Sequence, residues 1–366
     1  MRVPNLRRVL KRRRGGKVAR ITVGMPVYKG VDQVGDALRS LQRQTFRDFE
    51  VIISVDGNDQ ETAEACRPFL ADERFRMVVQ PERLDWFGNF NWLLAQPMGE
   101  FFCYRQHDDT TAPEFFEVLL AAAEARPDAA GVYADCQWHG GRSDLETAPS
   151  IEGDVLDRMR QYIEQRQPVA VRGIFRREAI AQAGQIRADE FRGLSEVFVW
   201  LAKVLRWGSF IRVPEPLYNR LDHAENYHKH WFDWPDEKKR AAWTTLFTGW
   251  LEATMPVCRT AEERVFFQQF ILDRIAVHRP GFSYHYAAAS PHETGVVMLE
   301  CIQRLATEGN LHLFDSLAPD ARPLQAELAR LTAENRELAN ELETLKRSRA
   351  LALARRVRKL LGTSWT

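Results

Sequence analysis

No stretch of 18 consecutive apolar residues occurs in the 366-residue chain, so no segment has the make-up of a membrane-spanning helix. Cysteine is scarce. Its five copies, Cys66, Cys103, Cys136, Cys258 and Cys301, are odd in number, widely spaced and without a Cys-x-x-Cys pair. That pattern argues against a disulfide framework or a zinc cage and leads us to expect reduced thiols in the cytoplasm. Also missing are the glycine-rich dinucleotide and P-loop signatures, the Gly-x-Ser-x-Gly elbow and the His-Glu-x-x-His zinc motif. Acid is absent from both ends: residues 1–20 hold nine Lys/Arg and residues 346–366 hold seven, with no Asp or Glu in either. The basic start lacks the apolar core of a secretory signal.

What is present is an ordinary globular composition, 45% hydrophobic and 28% charged, in a length that suggests about two domains plus an appendage. The net charge of +1 conceals a segregation: between the basic ends, 35 Lys/Arg face 50 Asp/Glu, a net −15. Either end suits an anionic membrane surface, each cation within a Debye length adding about 1 kcal/mol. The alternative is a pair of solvated tails. An acidic body would repel nucleic acid, so no nucleic-acid partner is expected.

Short β-rich runs occur at residues 21–28 (ITVGMPVY), 51–56 (VIISVD), 76–80 (RMVVQ), 101–106 (FFCYRQ) and 131–138 (GVYADCQW). Helix-like runs separate them. Val31, Val34, Leu38 and Leu41 fall on one helical face, and Pro113 suits the first position of a helix continuing as EFFEVLLAAAEA. Such alternation predicts an α/β fold with a mostly parallel sheet flanked by helices. Ligands bind such sheets at the carboxyl ends of the strands. The polar stretch 139–153 reads as an exposed loop. Residues 154–213 read as mostly helical, with a short strand near 209–213 and an extended PEPLYNRLDH after it.

Towards the C-terminus, Leu324, Leu328, Leu331, Asn335, Leu338, Leu342 and Leu345 alternate in steps of four and three. This a/d seam, with a polar Asn at one a position, predicts a parallel coiled-coil homodimer. The next stretch, LALARRVRKLL, is a basic amphipathic segment suited to a membrane interface. The predicted organisation is a basic tail (1–19), an α/β domain (20–228), a small helical domain (229–318), a coiled coil (319–346) and a basic amphipathic tail (347–366).

The candidate chemistry is acid at strand ends. Asp56 closes VIISVD, ahead of Gly57-Asn58-Asp59, and Asp108-Asp109 close FFCYRQHDD. Carboxylates gathered at one sheet edge repel unless a cation or donor intervenes, and a hard divalent ion shared with a diphosphate would serve. The plainer alternative makes Asp108 and Asp109 a turn and helix cap ahead of Pro113.

The opening run ITVGMPVYKGVDQVGDALRSLQRQTFRDFEVIISVDGNDQET resembles the start of glycosyltransferase family 2 enzymes of the GT-A fold. The matching pieces are Pro26-Val27-Tyr28, Gln44-Thr45 and Asp56-Gly57-Asn58-Asp59. Further along, Gly99-Glu100 precedes Gln106-His107-Asp108-Asp109 where the family has Asp-x-Asp-Asp, and PEPLYNRLDH supplies Tyr218, Arg220 and His223. The resemblance spans roughly residues 20–228. It implies a nucleotide-sugar donor, a base walled by Pro26, Val27 and Tyr28, and Asp56 hydrogen-bonded to that base. It further implies Asn91 and Asp109 near the donor, and Mn²⁺ or Mg²⁺ held by Asp108 with help from His223. Gln106 stands where the family has its first acid. His107, inside that motif, is expected to be a structural donor. His223, His228 and His230 lack a fourth partner nearby for a zinc site.

The implied reaction is an inverting transfer, in which a carboxylate deprotonates the acceptor hydroxyl. The family's base element matches Leu194-Ser195-Glu196-Val197, with Val197 where an Asp is expected, and Glu196 is the expected base. Asp189 and Glu190 are its reserves. The expected acceptor is a cell-surface glycan or lipid-linked saccharide, and the expected location is cytoplasmic, with the basic ends able to lie on the inner face of the cell membrane. The alternative function is a catalytically impaired scaffold of the same fold that binds nucleotide and acts through its coiled coil.

Overall fold

The computed structural model of the chain describes residues 18–188, 191, 196–223, 226 and 233–274, and the single positions 303 and 344. The predicted coiled coil, both basic tails, the reserves Asp189 and Glu190, and His228 and His230 therefore lie outside the described residues, Val18, Ala19 and Thr344 excepted.

The first half alternates strand and helix as its periodicity predicts: β1 (Ile21–Val27), α1 (Val34–Gln42), β2 (Phe49–Val55), α2 (Gln60–Cys66), β3 (Phe75–Val79), α3 (Asp85–Leu94) and β4 (Phe101–Tyr104). Then follow β5 (Thr110–Thr111), α4 (Phe115–Ala125), β6 (Ala129–Gly140), β7 (Leu145–Glu146), α5 (Val155–Gln165) and β8 (Ile174–Arg176). The remaining elements are α6 (Arg177–Ala183), α7 (Glu196–Leu205), β9 (Ser209–Asp222), α8 (Asp236–Thr254) and α9 (Ala261–Asp273). The strands form one sheet in the order β3-β2-β1-β4-β8-β6-β9-β5, with β7 on β6. Its long ladders, β1 with β2 and β4, β2 with β3, and β6 with β9, are parallel. The short pairings made by β5, β7 and β8 are antiparallel.

Both faces of the sheet are covered, as parallel strands require. Alternation along the strands sends Phe49 and Phe102 to opposite faces. On one face Phe116 of α4 meets Phe49 at 5.2 Å between ring centroids. On the other, Phe90 of α3 sits edge-on to Phe102, and Trp200 of α7 packs on Phe90 and on Phe175 of β8. Phe90 and Trp200 are buried. Helix α8 crosses α7 closely at Gly249, where a Cβ would come within 2.3 Å of Val199.

Three sequence expectations change. The 154–213 stretch is not uniformly helical, because β8 joins β4 to β6 inside it. The 139–153 stretch is not simply an exposed loop: it carries the β6–β7 turn, and buried Ile151 bridges Phe210. The 209–213 strand and the extended segment after it form one strand, β9, in which residues 214–217 stand opposite Asp135 alone. That irregularity accommodates Pro214 and Pro216, which offer no N–H to a ladder.

Gly173 leads into β8 where a Cβ would lie 2.1 Å from the Val132 carbonyl oxygen. Backbone cannot yield as a flexible side chain can, so Gly173→Ala should cost about 1–3 kcal/mol. A melting temperature lowered by several degrees is the expected result. A shift under about 1 °C would contradict the close approach.

Candidate nucleotide and transfer site

β1 lies between β2 and β4 and runs parallel to both. The carboxyl ends of the three strands therefore meet at one edge of the sheet. Strands β2 and β4, which lead into the Asp56 and Asp108 turns, are two strand spacings apart, about 10 Å. Tyr28, 36% exposed, stands between them at the end of β1. The buried strand-end residue Val27 accepts the Asp56 amide on its carbonyl at 2.9 Å.

Asp56 is buried, and its carboxylate is engaged on both oxygens. Oδ1 accepts the Leu84 N–H at 2.7 Å, and Oδ2 pairs with Arg83 Nε at 3.0 Å. Burial pushes its carboxyl above the usual range, against the pull of the Leu84 N–H and Arg83. The Arg83 guanidinium also lies 3.2 Å from the centroid of the Tyr28 ring. Asp56, Arg83 and Tyr28 thus form one stacked, ion-paired unit. Beside it the Lys29 amide donates to Asp59 Oδ2 at 2.8 Å, and Asp59 caps α2, tying this corner together.

At the neighbouring strand end Asp108 and Asp109 separate by environment. Asp109 is buried: Oδ2 accepts the Tyr218 hydroxyl at 2.9 Å and Oδ1 the Leu221 N–H at 3.2 Å. Burial raises its carboxyl, the Asp108 charge adds to that, and Arg172 and Arg220 oppose it. Arg172 Nε lies 3.9 Å from Asp109 Oδ2, and Arg220 pairs with Glu146 at 2.6 Å while stacking on Trp138. Burial works against ionisation of Glu146, yet Arg220 and Arg172 hold its carboxyl below the usual range. Asp109 therefore latches the tail of β4 onto β9.

The consequence of that latch is the placement of His223, one residue beyond β9. Its Nε2 lies 3.2 Å from Asp108 Oδ2, and Asn226 Nδ2 reaches the same oxygen at 3.4 Å. Asn226 Oδ1 accepts the His223 N–H at 2.8 Å and fixes the turn. Asp108 and His223 both stay partly accessible, at 18% and 24% of the side chain. His107 instead turns inward, hydrogen-bonded to the Pro26 backbone and packed against Gly30; burial pushes its ring below the ordinary value. It is the structural donor the sequence suggested.

Among the described residues no three His, Cys, Asp or Glu side chains gather closely enough to hold an ion by themselves. The Asp108 carboxylate and the His223 imidazole suit a divalent ion that takes its other ligands from phosphate oxygens and water.

Two further predicted residues are held by partners of their own. Asn91 on α3 engages the backbone of Ile186 with both ends of its amide: Nδ2 donates to the carbonyl at 2.7 Å and Oδ1 accepts the N–H at 2.9 Å. It serves there as a pin between segments rather than as an open donor contact. Glu196, the first residue of α7, is 1% exposed and accepts Arg187 Nε on Oε1 at 3.1 Å. Pro26 pairs with Ser54 across β1 and β2, inside the sheet edge.

Sequence reasoning passed over Arg83, Arg172, Arg187 and Asn226. Only Asn226 carried a local signal, an Asx-type spacing three residues after His223.

Residues 22–182 match the model of glycosyl transferase family 2. Among solved structures, the crystal structure of S. aureus TarS 1-349 aligns at TM-score 0.58 and 14% identity, over 85% of this chain and 87% of that one. The same protein in complex with UDP-GlcNAc aligns at TM-score 0.60 and 13% identity, over 81% and 89%. Against the longer TarS crystal structure the TM-score is 0.56 at 15% identity, over 86% of this chain but only about half, 54%, of that one. At these identities the likeness is one of fold, the GT-A glycosyltransferase fold.

Proposed function

From the match of residues 22–182 to the glycosyl transferase family 2 model we propose that the chain is a member of that family and carries out an inverting, metal-assisted transfer of a sugar from a nucleoside diphosphate donor. The acceptor is a hydroxyl on a cell-surface glycan or lipid-linked saccharide. The observation that carries the reading is the Asp108–His223 pair, 3.2 Å apart and accessible, at the sheet edge that also presents Tyr28 and Asp56.

In this reading the base lies against Tyr28, walled by Pro26 and Val27. The Asp56 carboxylate has lone pairs beyond those used by Leu84 and Arg83 and accepts a base N–H. The diphosphate reaches Asp108 and His223. A bound Mn²⁺ or Mg²⁺ would neutralise the charge that builds on the departing diphosphate. Asp109 contributes by holding β9 so that His223 faces Asp108. Glu196 takes the proton from the acceptor hydroxyl as its oxygen attacks the anomeric carbon. The bond from that carbon to the diphosphate breaks, and the nucleoside diphosphate leaves. The basic ends favour an acceptor displayed on an anionic surface.

The test is release of nucleoside diphosphate from UDP-, dTDP- and GDP-sugars, with Mn²⁺ or Mg²⁺ and with chelator. Turnover of at least one donor, lost with chelator, is expected, and it should rise when an acceptor is presented on anionic rather than neutral vesicles. Tight nucleotide binding with no turnover of any donor would favour the scaffold instead.

A further inference from the structure

We infer that Arg187 is a positioning residue for Glu196, and that Asn91 of α3 and Glu252 of α8 hold Arg187 in place. This rests on the reading of Glu196 as the base.

The segment before Arg187 is clamped along its backbone. Helix α6 ends at Gly184, whose carbonyl accepts Trp200 Nε1 from α7 at 3.0 Å. Two residues on, Ile186 is buried and has both backbone groups bonded to Asn91. Arg187 follows at once. Its Nε donates to Glu196 Oε1 at 3.1 Å, and its Nη2 lies 3.4 Å from Glu252 Oε2. One guanidinium thus bridges the first residue of α7 and an acid near the end of α8. The Glu196 and Glu252 side chains are 1% and 15% exposed.

A long arginine is costly to order, and a carboxylate that must meet a hydroxyl in one geometry gains from a fixed partner. The planar guanidinium can hold two carboxylates in fixed directions, which a lysine ammonium does less well. The arrangement also gives the helical segment 236–254 a part in the reaction, although it lies outside the residues that match the family.

The test compares steady-state constants of full-length variants with a donor that the wild type turns over. Arg187→Met should lower kcat about 10–100-fold while KM for the donor stays within about threefold, the signature of a misplaced group rather than a lost binding contact. Arg187→Lys should recover kcat to within about fivefold of wild type, since the charge returns without the fork. Glu252→Gln, which removes the Glu252 charge from Arg187 Nη2, should lower kcat about threefold at unchanged KM. If Arg187→Met does not fold, the lysine and Glu252→Gln variants decide: wild-type kcat in Glu252→Gln overturns the inference. If Glu196→Gln is inactive while folded Arg187→Met keeps wild-type kcat, the positioning role fails and the base assignment stands. If Glu196→Gln keeps wild-type turnover, the base assignment fails and this inference falls with it.

Discussion

Asp108→Ala should lower turnover of the nucleotide-sugar donor about 10²–10³-fold, the scale on which losing one electrostatic partner of a developing charge is felt. The fold should survive. Asp108 is partly exposed, and its two protein contacts, His223 at 3.2 Å and Asn226 at 3.4 Å, are long. Such contacts contribute little to stability. Its neighbour behaves oppositely. Asp109 is buried and holds the Tyr218 hydroxyl and the Leu221 N–H, so its loss would leave buried donors unsatisfied. Initial rates with the most active donor, together with melting curves, check the prediction. Unchanged turnover in a folded Asp108→Ala protein would remove the metal assignment.

Glu196→Gln should lower kcat about 10²–10⁴-fold, the usual worth of a positioned general base. Glutamine keeps the size of the side chain and still accepts the Arg187 N–H, so α7 should retain its start. Arg187 keeps its contact with Glu252. Nucleoside diphosphate affinity, measured by calorimetry, should therefore stay near the wild-type value while turnover collapses. Retained turnover would move the base elsewhere, with Asp189 and Glu190 next to be tested. Val197, the second residue of α7, offers no ionisable group, so the whole proton transfer falls to Glu196.

How far the sequence predicted the molecule depends on the range of the interactions. β1, β2 and β4 were legible because each is a run of apolar residues closed by a polar strand end, and their parallel order follows from the helices between them. β8 was not, since three residues become a strand only by pairing with β4 and β6. β9 was read in two pieces because prolines at 214 and 216 interrupt the pattern, whereas the fold simply loops them out opposite Asp135. The site divides in the same way. Acidic strand ends and the family resemblance pointed to Asp56, Asp108 and His223. Periodicity has no means of bringing Arg83 onto Tyr28, 55 positions earlier, or Asn91 onto Ile186, 95 positions later. Asp109 was expected beside the donor, but burial and its two donors make it the latch that sets the strand behind the site.

The most direct measurement is a crystal structure of the protein soaked with UDP, dTDP or GDP and Mn²⁺, with anomalous scattering locating the metal. A manganese peak is expected between Asp108 and the diphosphate, with His223 alongside and the base against Tyr28. A nucleotide bound at another face, or a manganese peak without Asp108, would contradict it.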